Sequence, residues 1–169
     1  EANGVGETGE ERAELARKFL DILSTGLHDA MASTPDILYV AAAGNDDSDV
    51  EFDLTIPSSY ELPNLLVVGA VDQAGTRTSF TSMGKNVIVY ANGFEVDSYV
   101  PGGERMKMSG TSMASPNAMN LAAKLVTLKP SLTPTAVIEL IKRGADTIEG
   151  QDELLLLNPK ATVELLQGS

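Results

Sequence analysis

From Glu10 to Ser33, apolar residues recur at Leu15, Phe19, Ile22, Leu23, Leu27, Ala30 and Met31, the spacing that lines one face of a helix. Glu10 and Glu11 suit the positive end of its dipole, and Pro35 marks its far limit. Ile37 to Ala43 is apolar throughout and is then broken by Gly44-Asn45-Asp46-Asp47, which predicts a strand buried on both faces. Two more such runs follow, Leu65 to Val71 and Val87 to Ala91. Buried strands with a preceding helix predict the α/β class, a parallel sheet covered by helices. Residues 94 to 109 alternate loosely around Pro101-Gly102-Gly103, a solvated hairpin. A second helix is expected from Ser112 or Met113 to Lys129-Pro130, since proline disfavours helix in the residue before it. A third opens at Thr133-Pro134 and stops at Gly144, and Asn158-Pro159 opens a short fourth. No internal repeat or low-complexity linker interrupts this order.

A length of 169 residues favours one domain, and 43% hydrophobic against 21% charged residues is the balance of a chain that packs a core. The net charge of -12 would repel a phosphate backbone, so no nucleic-acid partner is expected. The absence of cysteine removes disulfides, thiolate metal sites and cysteine nucleophiles together. No run reaches membrane-spanning length, so no membrane partner is expected either. The first residues, EANGVGETGE, lack the basic start and apolar run of a signal peptide, and a start without Met fits a fragment or a mature product.

Two segments carry candidate chemistry. Gly110-Thr111-Ser112-Met113-Ala114-Ser115-Pro116 stands at the start of the second helix. A Gly-Thr-Ser there is most often a helix cap. It also sets Ser112 where the helix dipole and free N–H groups stabilise negative charge, as an acyl-transfer nucleophile requires. Ala41-Ala42-Ala43-Gly44-Asn45 ends the first strand. An Asn in a turn is the plain reading. The chemical one is an oxyanion-hole donor, a neutral N–H held rigidly at a strand end.

Together the two segments resemble the subtilisin family of serine proteases, whose nucleophile lies in GTSMASP and whose oxyanion asparagine ends an AAAGN strand. The resemblance runs on through Ile56-Pro57, Val68-Gly69-Ala70-Val71-Asp72, Ser79-Phe80-Thr81-Ser82 and Leu157-Asn158-Pro159. It implies that residues 1–169 are the C-terminal portion of a subtilisin-like peptidase domain. The fold it implies is part of the family's three-layer α/β arrangement, a mainly parallel sheet flanked by helices. It also implies a serine-type endopeptidase acting through an acyl-enzyme on Ser112, with Asn45 and the Ser112 backbone N–H in the oxyanion hole. Ala42, Ala43 and Gly44 would line one side of the substrate pocket, and Gly110 and Thr111 would border it. The substrate would be a peptide or protein. Relatives of this kind are mostly secreted or periplasmic.

The pattern is incomplete here. The family's Asp and His precede the helix at which this sequence begins, so the chain alone is expected to be inactive without that upstream part or another copy. The single histidine, His28, reads as a helix-end residue, and Asp21, Asp29 and Asp36 read as surface charges. After GTSMASP the family continues with His and small residues, whereas this chain has Asn117-Ala118-Met119-Asn120; in place of an A-P-G turn it has Ala91-Asn92-Gly93. A carboxylate used by some members at a cation site aligns with Ile88, so no metal is expected there. No cofactor is expected. The acidic loop Asp46 to Asp53 has oxygen ligands enough for calcium but lacks EF-hand order, which leaves calcium as the alternative to a solvated loop. The alternative function is a non-catalytic subtilisin-like binding or assembly domain. Without a neighbouring strand, the Leu38 to Ala43 segment would be an apolar sheet edge through which copies of the chain self-associate.

Overall fold

The computed structural model describes residue 6, residues 8–148 and residues 151–168, with the side chains of 151–153 left aside. The first helix, α1 (Gly9–Ala32), starts at a capping box in which the Thr8 hydroxyl accepts the Glu11 N–H while Glu11 accepts the Thr8 N–H. Its other end is closed by buried Asn64, whose Nδ2 donates to the carbonyls of Met31, Thr34 and Ile37, each at 3.1 Å. Carbonyls left over at a helix end need such partners. This one amide fixes how the chain turns from α1 into β1 (Tyr39–Ala42).

Next come β2 (Leu65–Val71), β3 (Val87–Asn92) and the hairpin of β4 (Val96–Tyr99) and β5 (Arg105–Met108). Then follow α2 (Thr111–Leu128), α3 (Pro134–Gly144), β6 (Asp146–Ile148), β7 (Gln151–Leu156) and α4 (Pro159–Gln167). The main sheet has the order β1-β2-β3-β7-β6, parallel from β1 to β7, with β6 antiparallel at its far edge. This is the expected α/β architecture, a mainly parallel sheet flanked by helices.

Strand side chains alternate between faces, and β2 is buried along its whole length because both faces are covered. Leu66, Val68 and Ala70 meet Ala118, Leu121 and Leu125 of α2, with Val137 and Ile141 of α3 behind them. Leu65, Val67 and Val71 belong to the opposite face with Met31, Val50 and Leu154. The alanines of α2 let its axis lie close to the sheet, and the chain leaves the helix at Lys129, ahead of Pro130.

Two expectations are corrected. The first strand is shorter than Ile37 to Ala43 and only half-buried, because β1 is the edge of the sheet, with no strand beside its outer edge among the described residues. The strands β6 and β7 were not foreseen; β7 docks beside β3, where the Leu157 N–H donates to the Tyr90 carbonyl (2.8 Å). No helix among the described residues is long and apolar enough to cross a membrane.

Candidate active site

The site is built where β1, β3 and α2 meet. Strand β1 continues past Ala42 by one bond, the Ala43 N–H to the Val68 carbonyl at 2.9 Å, and the chain then breaks away at Gly44. Gly44 has φ of +117°, and a Cβ there would lie 3.0 Å from Ser82 Oγ, so the turn needs glycine. Neighbouring serines pin this break. Ser58 Oγ donates to the carbonyls of Ala42 and Ala43, and the Ser82 N–H donates to the Gly44 carbonyl. The Ser82 hydroxyl in turn accepts the Asp46 N–H at 3.3 Å.

The start of α2 is brought to the same place by β3. The Gly93 N–H donates to Val71 O and the Gly110 N–H to Gly93 O, at 2.9 and 2.8 Å. A Cβ on Gly93 would stand 2.7 Å from the Gly110 carbonyl oxygen and 2.8 Å from Ala70 Cβ, so only glycine allows this approach. The N-cap residue is Gly110, and no side chain caps the helix. The capping role that Gly-Thr-Ser suggests is therefore not the one found. Thr111 turns its hydroxyl back toward the strand: Thr111 Oγ1 accepts the Gly44 N–H (3.2 Å) and donates to Asn45 Oδ1 (3.1 Å).

Asn45 Oδ1 also accepts the Thr111 backbone N–H at 2.8 Å. Two donors from one residue set the orientation of the Asn45 amide, and its Nδ2 has no partner among the described residues. Ser112, the next residue, is exposed, and its Oγ makes no hydrogen bond among the described residues. Its backbone N–H is one of the orphan donors of the first helical turn. Pro116 lies inside α2 and lacks the N–H that would bond the Ser112 carbonyl.

The fold thus gathers Asn45, Gly44, Gly110, Thr111 and Ser112 at one point. Ala43 and Thr111 are fully buried and offer a ligand no surface, whereas Ala42, Gly44 and Asn45 are at least partly accessible. His28 is elsewhere. It sits on α1 with its ring edge-on to Tyr60 (centroids 5.3 Å apart) and Nδ1 at 3.3 Å from Asp29 Oδ1. Asp21, Asp29 and Asp36 are exposed. Beyond Asn45, two carboxylates of the acidic loop accept backbone N–H groups. Asp49 Oδ1 accepts the N–H groups of Phe52 (2.8 Å) and Glu51 (3.0 Å), which hold its carboxyl below the usual carboxylate range. Glu51 Oε1 accepts the Asn86 N–H at 2.7 Å. Among the described residues no three acidic or histidine side chains gather as a metal site.

Ser58, Ser82 and the inward hydroxyl of Thr111 are the supports that the sequence alone did not disclose. Ser82 belongs to the Ser-Phe-Thr-Ser segment of the resemblance, which carries no sign of which hydroxyl reaches the Asn45 turn.

Residues 7–162 match the family model described as the subtilase family, Peptidase_S8. The chain belongs to the subtilase family. This subtilase is 41% identical over 111 residues to the thermophilic serine proteinase of Bacillus sp. (strain AK1), covering 66% of this chain and 26% of that protein. It is 33% identical over 169 residues to subtilisin-like protease 2 of Pseudogymnoascus destructans, covering 97% of this chain and 40% of the relative. Among solved structures, the protease domain of PatA superposes with a TM-score of 0.74 at 29% identity, covering 84% of this chain and 53% of that one. A cold-adapted subtilisin-like serine proteinase gives 0.63 at 29% identity, covering 70% and 43%. This subtilase chain therefore spans about half the length of the solved chains it resembles, and less of these curated relatives.

Proposed function

We propose that this subtilase chain carries the nucleophile and the oxyanion donors of a serine endopeptidase, and that the histidine and aspartate completing the triad come from a preceding part of the peptidase domain. The observation that supports this best is the double anchoring of Asn45 Oδ1 by Thr111, which leaves Asn45 Nδ2 free beside Gly110, the N-cap of the helix that carries Ser112. In the reaction, Ser112 Oγ attacks the peptide carbonyl carbon and its proton passes to the histidine. Asn45 Nδ2 and the Ser112 N–H bond the oxyanion as it forms. The intermediate collapses with expulsion of the amine, which takes the proton from the histidine, and water then hydrolyses the acyl-enzyme by the same route. Gly44 would border the bound peptide, whereas Gly110, also expected there, is buried. In subtilisin itself the loss of the corresponding asparagine costs about 10²–10³ in turnover.

A hydroxyl with no base is a poor nucleophile, and Ser112 has none among the described residues, so the chain alone should neither cleave casein nor react with a serine-directed phosphonate. Refolding it with the Asp- and His-bearing half of a subtilase peptidase domain is expected to produce both, with the label on Ser112 and both lost in Ser112→Ala. If the properly folded mixture shows neither, Ser112 is not a competent nucleophile. The second reading, a non-catalytic binding domain, then stands, and the bare Ser112 hydroxyl is the observation in its favour.

A further inference from the structure

Two of the places where this chain departs from the subtilase pattern lie far apart in sequence but meet in space. Asn92, which stands in the A-P-G position, and Asn117 and Asn120, which follow GTSMASP, line one cleft of about 530 Å³. That is the size of a small-ligand site. Asn117 lies five residues beyond Ser112 on α2, about 7 Å along the helix axis, and neither Ser112 nor Asn45 lines the cleft.

The polar atoms of the cleft divide cleanly into those that hold it together and those that remain available. Asn117 Nδ2 donates to the carbonyls of Asn92 (3.1 Å) and Met113 (3.3 Å). Gln73 Nε2 donates to the Phe94 carbonyl (2.8 Å), and Asn92 Oδ1 accepts the Phe94 N–H (3.1 Å). Each of these amides is thereby fixed by one end, while Asn117 Oδ1, Gln73 Oε1 and Asn92 Nδ2 have no partner among the described residues. Asn120 has both ends free in the same sense. Three held amides and the unrestrained one of Asn120 thus offer acceptors and donors, which is what a peptide backbone, with one donor and one acceptor per residue, can satisfy.

The cleft lining holds one cation, Lys124, and one carboxylate, Asp72. Lys124, one helical turn beyond Asn120, takes part in none of the ion pairs among the described residues. The lining carboxylate, Asp72, has its Oδ1 accepting the backbone N–H groups of Ala74 and Thr76, both at 2.9 Å. Leu121 and Leu156 supply apolar surface between the polar groups. We propose that this cleft is a second peptide-binding site, separate from the Ser112 centre, which takes an extended segment carrying a carboxylate side chain. The free amides engage its backbone and Lys124 its charge.

The test uses the whole chain and two end-capped hexapeptides of Gly and Ser, one with a central Glu and the other with Gln in its place. Binding is followed through the side-chain amide resonances of Asn92, Asn117 and Asn120. The Glu peptide is expected to shift these signals saturably, and Lys124→Gln to weaken it about tenfold while leaving the Gln peptide unchanged, the loss appropriate to one charge-assisted hydrogen bond. Asn120→Ala should weaken both peptides. Ser112→Ala should change neither, which keeps this result independent of whether the chain belongs to a working protease. Shifts confined to Asn45 and the Gly44 turn, no saturable shift at millimolar peptide, or equal affinity of Lys124→Gln for the Glu peptide would each overturn the proposal.

Discussion

Thr111 does more for the site than its place beside Ser112 suggests. Its buried hydroxyl bridges the end of β1 to the start of α2, accepting from Gly44 and donating to Asn45. Thr111→Val keeps the shape and removes both bonds. The Gly44 N–H then loses its acceptor, and because Gly44 is partly accessible the loss is that of an ordinary hydrogen bond, about 0.5–1.5 kcal/mol. Asn45 keeps only the bond from the Thr111 backbone N–H. Urea unfolding should show a loss of that order in Thr111→Val and a much smaller one in Thr111→Ser, and the Asn45 side-chain amide resonances should move only in the valine variant. Equal stability of the two variants would mean that the backbone bond alone sets the amide. At this scale the sequence disclosed which residues to watch and not how they are held. Asn45 and Ser112 come from two short motifs, whereas the anchoring of Asn45 depends on a rotamer of Thr111 and on serines 13 and 37 positions past Asn45, namely Ser58 and Ser82.

Elements buried on one clear pattern were the legible ones. The limits of β2, α2 and α3 and the start of α4 fall within about two residues of the expected ones, the helices because Pro130, Pro134, Gly144 and Pro159 punctuate them. The misses have physical causes. β6 is three residues long and mostly polar, and the leucines of β7 form an apolar run too short to distinguish strand from helix. α1 was legible as a helix, but its environment was not: an apolar stripe predicts a covered face, and among its residues only Met31 is buried. Phe19 and Ile22 are 61% and 70% exposed. The helix is held at its C-terminal half, by Asn64 and by the Tyr60 hydroxyl donating to the Ser24 carbonyl (2.8 Å). Amides in its first three turns should therefore exchange with solvent through local fraying, at least about tenfold faster than those of Leu121 to Leu125 in the core of α2. Hydrogen exchange on a dilute sample measures this directly. Protection of the two helices to the same degree would mean that the α1 stripe is covered in solution.

For the molecule as a whole, the exposed stripe of α1 and the open edge of β1 work against its charge. An unpaired strand edge and a row of large apolar side chains both favour contact between copies. A net charge of -12 opposes it, and that repulsion acts over about 10 Å at 0.1 M salt but about 3 Å at 1 M. The apolar attraction is not weakened by salt in the same way. Self-association should thus rise with ionic strength, the reverse of an association built on ion pairs. Light scattering on the isolated chain should show a growing mass as sodium chloride is raised at fixed protein concentration. Replacing Phe19 and Ile22 together by Glu adds charge and removes the stripe, so the double variant should stay monomeric in the same range without loss of folded stability, since neither side chain is part of the core. If the double variant associates as the parent does, the contact lies at the β1 edge instead, and Ile37→Lys, at an exposed position leading into that strand, becomes the substitution expected to abolish it. A mass that falls with salt would reject the apolar account altogether and leave the acidic surface, bridged by the few basic side chains, as the contact.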